Sequence, residues 1–291
     1  MSTKEKLLYV MACVKKFLIL KVKIIFSRKK IMNGSGNSPR IVVSLTSIPN
    51  RFKTLYLTIE AIFRQTLTPD VVVLYLGDNT STIKLPYRLR KLQKRGLVIK
   101  YVDDSKLGPH TKYFYALQEY NNDIVITFDD DILYDYTLVE DMYKTYLKYK
   151  KSIIAIRPHK IIFNNKNKID LYTNWLFDYN GNDSLKPNKL LCQTGVGGVL
   201  YPPNIYPKSV FNDDLIDKLF RNNDDLYLYF FQIKNNIKVV RASKKQYVLH
   251  TIKGTQQSGL VNNNLYGTGN DEFVKRAVKY FKITKKDFED K

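Results

Sequence analysis

Four short apolar runs rich in β-branched residues, Ile41 to Leu45, Val71 to Leu76, Leu97 to Val102 and Ile124 to Phe128, alternate with segments of helical pattern. Arg51 to Gln65 carries Leu55, Ile59 and Ile62 on one face, and Pro86 to Arg95 and Thr111 to Tyr120 read as the next two helices. A strand followed by a helix and then another strand needs a crossover, and crossovers between parallel strands are right-handed. The alternation therefore predicts an α/β fold with a Rossmann-like, mostly parallel sheet flanked by helices. Beyond residue 150 the pattern loosens. Ile153 to Ile156 reads as a strand, and residues 163–190, rich in Asn, Lys and Asp, read as loop and short hairpin. A helix near Asp213 to Phe220, another from Asp224, a strand from Ile237 to Arg241 and a last helix from Asp271 to Phe281 complete the expectation.

The fourth run ends in Asp129-Asp130-Asp131. Open α/β sheets bind ligands beyond the carboxyl ends of their strands, which is where these carboxylates fall. Three adjacent negative charges repel one another, so a fold that gathers them needs a neutralising cation. Oxygen-only ligands favour a hard divalent ion, Mn²⁺ or Mg²⁺, of the kind that grips a diphosphate. Asp is also a common helix N-cap, and a solvated acidic turn is the plainer alternative.

The 291 residues suit one domain, here residues 40–291, with 40–131 as the nucleotide-type half and 132–291 as a mixed half that shapes an acceptor site. Residues 34–39, within the small polar run Asn-Gly-Ser-Gly-Asn-Ser-Pro, read as a linker. Two distant cysteines, Cys13 and Cys192, imply neither a disulfide framework nor a zinc site and suit a reducing cytoplasm. The formal net charge is +21, and residues 1–40 hold ten Lys or Arg against Glu5 alone. Within residues 1–33, Leu7, Met11, Val14, Leu18, Val22 and Ile25 recur at helical spacing. Lys15, Lys16, Lys21 and Lys23 interrupt that stretch, each costing about 2.5–3.5 kcal/mol at mid-bilayer depth. A spanning helix and a secretory signal both fit poorly. The expectation is a basic amphipathic segment lying on an anionic membrane, with packing on the body as the alternative.

The succession Ile41-Val-Val-Ser-Leu-Thr-Ser-Ile-Pro-Asn-Arg51, Arg64-Gln-Thr66, Val71-Val-Val-Leu-Tyr75, Asp129-Asp-Asp131, Gly197-Gly198 and Asp224-Asp225 resembles the GT-A-fold glycosyltransferases. It looks closest to the bacterial family-2-like enzymes of capsule and lipopolysaccharide synthesis, over roughly residues 40–260. The resemblance implies that Asp129 and Asp131 hold Mn²⁺ or Mg²⁺ against a nucleotide-sugar diphosphate, with Asp130 between them at the donor. It also implies that Thr46, Arg51 and Asp78 approach the nucleotide, although each also sits in a sequence that reads as an ordinary turn. Lys112 is expected to offset diphosphate charge, and His110 to be structural.

Gly197 and Gly198 resemble the segment that lets backbone approach sugar and acceptor; a tight turn at a strand end is the alternative. Asp225 is expected as the general base and Asp224 as helix cap or acceptor contact, with Asp213-Asp214 as a competing pair. His250 matches a late histidine that serves as an extra metal ligand in some relatives. Tyr172 and Trp175 read as stacking residues or as core.

The implied function is a metal-dependent inverting transfer of a hexose or N-acetylhexosamine from a UDP-sugar to a glycan, lipid-linked, at the cytoplasmic face of the membrane. A retaining transferase on the same fold, a basic nucleic-acid-binding protein and a non-catalytic assembly partner are the alternatives. No nucleic acid is expected, because the charge is concentrated in an apolar-interleaved terminus and no nucleic-acid module is recognisable.

Overall fold

A computed structural model of the chain describes residues 29–31, 39–255 and 269–289, together with part of the segment 8–23. The expected linker lies outside the described residues except for Pro39. Ten strands and helices build the amino-terminal half and its continuation: β1 (Ile41–Thr46), α1 (Phe52–Phe63), β2 (Val71–Gly77), α2 (Tyr87–Gln93), β3 (Leu97–Val102), α3 (Thr111–Glu119), β4 (Ile124–Thr127), β5 (Ile132–Leu133), α4 (Leu138–Lys148) and β6 (Ser152–Ala155). The second half adds β7 (His159–Lys160), β8 (Leu191–Cys192), β9 (Val199–Tyr201), α5 (Asp224–Lys234), β10 (Lys238–Arg241), β11 (His250–Thr251) and α6 (Gly269–Tyr280).

The main sheet has seven strands in the order β10-β6-β9-β4-β1-β2-β3. Pairings from β4 through β1 and β2 to β3 are parallel, as is β10 with β6, and β9 runs antiparallel between β4 and β6. Strands β1, β2 and β4 are buried almost throughout because helices cover both sheet faces, which is why their sequences are continuously apolar. Alternate residues serve the two faces. Val43, Val72 and Ile126 pack with α1, α2 and α4, whereas Val42, Val73 and Val125 pack with α3, α5 and α6.

Helix α4 and the three-residue strand β9 go beyond the expected elements. Asp213–Leu215 is a single α-helical turn that widens into π-helix over Ile216–Phe220. Of the amino-terminal stripe, Met11, Val14, Leu18 and Val22 are exposed, and Leu7 and Ile25 lie outside the described residues. Phe17 and Leu20 face the body instead, packing on the α1–α2 side of the core. The segment is tied to the ends of those helices: Arg64 donates to Lys23 O, Lys29 Nζ to Gln65 O at 2.9 Å, and Ile31 N–H to Arg95 O at 2.9 Å. No helix among the described residues is long and apolar enough to cross a membrane.

Candidate active site

Strand β4 delivers Asp129, Asp130 and Asp131 to the carboxyl end of the parallel strands, and the surrounding elements pin their backbone. The Asp129 N–H donates to Tyr134 Oη at 2.9 Å, Thr58 Oγ1 of α1 donates to Asp130 O at 2.9 Å, and the Ile252 N–H donates to Asp131 O at 2.8 Å. The side chains then diverge. Asp130 is buried and takes Ser47 Oγ on one oxygen and Arg51 on the other, both at 2.5 Å. Arg51 also reaches Asp131 at 3.3 Å and donates to Thr255 O at 3.0 Å. Thus Arg51, expected against the nucleotide, is the built-in countercharge of Asp130 and Asp131. Asp129 is the most open of the three, with about a quarter of its side chain exposed (27%).

Asp129 connects to the second half of the molecule through Lys112. At the start of α3, Lys112 Nζ lies 2.8 Å from Asp129 Oδ1 and 3.0 Å from Asp224 Oδ2. Burial alone would lower the Lys112 pKa, but Asp129, Asp224 and Asp225 outweigh it and hold the ammonium well above the usual lysine value. Ser44 Oγ of β1 donates to Lys112 O at 2.5 Å, which fixes this helix start against the sheet.

The cap of α5 is Asn223, whose side chain accepts from the Leu226 N–H at 2.9 Å. Of the two roles expected for Asp224, helix cap or acceptor contact, the cap falls to Asn223, and Asp224 turns to Lys112. Asp225 accepts the Gly195 N–H on both oxygens, at 2.9 and 3.0 Å. The competing pair Asp213-Asp214 is exposed and bound to Lys106 at 3.2 and 2.6 Å.

Because β9 is antiparallel, its first residue Val199 sits opposite Thr127, the last of β4, so the turn Gly195–Gly197 before it lies beside the aspartates. A Cβ at Gly195 would stand 2.7 Å from Lys112 Nζ and 3.3 Å from Asp225 Oδ1. Gly198 has φ +92, and a Cβ there would meet the Phe128 ring. The Gly197 position is pressed against Arg157, which follows β6.

The electrostatics follow from this crowding. Five carboxylates, Asp129, Asp130, Asp131, Asp224 and Asp225, share Arg51 and Lys112 as cations. Burial and then Asp129 push the Asp131 pKa up to about 6. Burial and then Asp224 push Asp225 up to about 8, against the pull of Lys112 and the Gly195 N–H. Among the described residues no three His, Cys, Asp or Glu side chains converge on one metal-sized point. The donor set nevertheless fits a hard divalent cation, being oxygen-rich and short of positive charge. His250 is buried on β11, which pairs with β5 immediately after the aspartates.

The remaining candidates lie around this centre. Thr46 Oγ1 donates to Tyr75 O at 3.0 Å, bridging β1 to β2. Asp78 begins an exposed turn at the end of β2, beside Gly77, where a Cβ would meet the Asp104 carboxylate. His110 is structural: buried, with Nε2 at 2.8 Å from Phe220 O, a carbonyl that can only accept, and Nδ1 at 2.8 Å from Tyr113 Oη. Tyr172 and Trp175 are core residues. Ser47 and Asp104 join the site region as well: Ser47 lies inside the Ile41–Arg51 succession but has no expected role there, and only the position of Asp104 after the end of β3 could have drawn attention to it.

Residues 46–201, more than half of the chain, match Glycosyl transferase family 2. No curated protein sequence matches the chain. The mannosyltransferase PcManGT from Pyrobaculum calidifontis, solved in complex with GDP-Man and Mn²⁺, is 12% identical with a TM-score of 0.50, covering 95% of this chain and 79% of that one. S. aureus TarS is 15% identical with a TM-score of 0.40, over 70% of this chain and 35% of that one. A 4-diphosphocytidyl-2C-methyl-D-erythritol synthase from Anaerococcus prevotii is 16% identical with a TM-score of 0.45, over 78% and 95%. The chain belongs to glycosyl transferase family 2 and has that family's GT-A-like α/β fold, a mostly parallel sheet flanked by helices.

Proposed function

We propose that the chain is a metal-dependent inverting glycosyltransferase that moves a hexose or N-acetylhexosamine from a UDP-sugar to a surface glycan acceptor, lipid-linked, at the cytoplasmic face of the membrane. The observation that carries this reading is the Asp129–Lys112–Asp224 bridge with Asp225 next to it, which sets an open carboxylate of the donor side against a proton acceptor on the other half. Asp129 and Asp131, with His250 from the adjoining strand, would hold Mn²⁺ or Mg²⁺. Bound there, the cation would offset the charge that develops on a departing nucleoside diphosphate. The Mn²⁺ that accompanies GDP-Man in the Pyrobaculum mannosyltransferase supports metal use on this fold.

The chain's own residues divide the rest of the work. Lys112, shared by Asp129 and Asp224, would offset the charge of the donor diphosphate as a point cation. Thr46 and Asp78, at the ends of neighbouring strands, border the nucleoside, while Asp130 and Arg51 hold the β1–α1 loop in place. Gly197 and Gly198 keep backbone close to sugar and acceptor. Asp225 takes the proton of the attacking hydroxyl; a carboxylate with raised proton affinity is a stronger base than an ordinary aspartate. Inversion requires that one base stand on the face opposite the leaving group. The loop between β1 and α1 contains no glycine, which speaks against a glycine-rich phosphate cradle of the nucleotidyltransferase kind.

The test is product analysis after a donor-sugar screen. An inverted anomeric configuration, lost together with turnover in Asp225→Asn, supports the reading; a retained configuration or full transfer by Asp225→Asn contradicts it.

A further inference from the structure

Between Asp78 and Asp103 the sequence contains no acidic residue and seven Lys or Arg. Helix α2 and the loop before it present most of these charges to solvent. Lys84, Arg90, Lys91 and Lys94 are exposed and make no ion pair or side-chain hydrogen bond among the described residues, and Ile83 and Tyr87 stand exposed beside them at 40% and 69%. Arg88 and Arg95, by contrast, are held by Tyr56 and Glu60. Unpaired cations interleaved with an exposed aromatic and an aliphatic side chain form an interfacial pattern, not an ordinary solvated helix face.

The placement of α2 gives the pattern its meaning. The carboxyl end of α2 is where the amino-terminal segment is anchored: Arg95 Nε donates to Lys29 O at 2.9 Å and Gly96 is pressed against Ile31. Upstream of that anchor, the helical residues Met11, Val14, Leu18 and Val22 are exposed at 51–59%. The other end of α2 follows the Asp78 turn, at the carboxyl edge of the sheet where the acidic cluster opens. Residues 29–31 therefore meet the carboxyl end of α2, and α2 runs from that anchor toward the Asp78 turn.

We propose that α2 is the second half of a membrane-docking surface: Lys84, Arg90, Lys91 and Lys94 bind anionic phospholipid headgroups while the amino-terminal stripe enters the interface. The membrane would then lie along the α1–α2 side with the donor rim beside it, within reach of a lipid-linked acceptor. Charge complementarity selects an anionic lipid surface, and the apolar side chains among the cations favour it over a nucleic acid. The inference extends the membrane part of the proposed function and is independent of the transfer chemistry.

The test is flotation of the full-length protein with phosphatidylcholine vesicles containing 0 or roughly 30% phosphatidylglycerol, at low and high salt. Each Lys or Arg near such a surface strengthens binding, so the quadruple variant K84E/R90E/K91E/K94E is expected to lose at least about tenfold in affinity for the anionic vesicles. Its melting temperature should stay unchanged, since all four side chains are exposed. M11S/L18S tests the stripe separately. If the quadruple variant floats as well as the wild type while M11S/L18S does not, the role of α2 is overturned and the stripe stands alone. Salt-sensitive binding to poly(U) RNA that exceeds binding to anionic vesicles would also overturn it.

Discussion

Asp225 is the residue on which chemistry and stability pull in opposite directions. Its folded pKa, pushed up to about 8 by burial and then by Asp224, means that the folded chain holds a proton that the unfolded chain releases near the ordinary aspartate value. Where the native state binds more protons, stability falls as pH rises. The metal-free protein should therefore lose stability between roughly pH 4 and pH 8, with Asp131 acting over the lower part, up to about 6. Urea midpoints at pH 5, 7 and 8.5 should decline in the wild type and decline less in Asp225→Asn. The same variant should lose on the order of 10³ in kcat, the usual weight of a general base. A variant that gains stability at pH 8.5 while losing transfer separates a functional carboxylate from a structural one. Lys112 predicts the converse: Lys112→Ala leaves Asp129 and Asp224 without their shared cation and should destabilise by about 3 kcal/mol in chemical denaturation. The place of the three aspartates, at the carboxyl end of a buried strand, was legible from the sequence. The identity of their countercharges was not, because Arg51 meets Asp130 across 79 positions and only the folded loop brings them together.

At the scale of elements, the site depends on two short structures that make little mark on the sequence. Strand β9 is three residues long and antiparallel, yet it carries the glycine turn to Asp129 and Asp225. Gly198 sits at φ +92 against Phe128, so Gly198→Ala combines backbone strain with a ring clash and should cost at least 1–3 kcal/mol in urea denaturation. Asn223 sets where α5 begins, and with it the direction of Asp224 and Asp225. Asn223→Ala should cost about 1 kcal/mol in the same measurement and reduce transfer, since both carboxylates lie in the first turn. The β-branched runs and helix stripes of the first half could be read directly because each element there is long enough to show its period. The pairing of β9 between β4 and β6 could not, since three apolar residues fit a strand in either direction or a turn. Nor could the choice of Asn223 over Asp224 as cap, because four consecutive residues with capping side chains, Asn222 to Asp225, leave the helix start ambiguous.

For the whole molecule, the account holds that one acidic centre, assembled from the ends of β4 and α5, receives both the donor diphosphate with its cation and the acceptor hydroxyl. Five carboxylates around two cations leave the centre short of positive charge, and binding of a divalent ion with a nucleotide should stabilise the fold by mass action. The measurement that tests this most directly is titration calorimetry of UDP into the full-length protein, with and without Mn²⁺, repeated on Asp131→Ala. The account predicts UDP binding that requires Mn²⁺ in the wild type and disappears in the variant. Metal-dependent UDP binding that survives Asp131→Ala undiminished would place the donor elsewhere and contradict it.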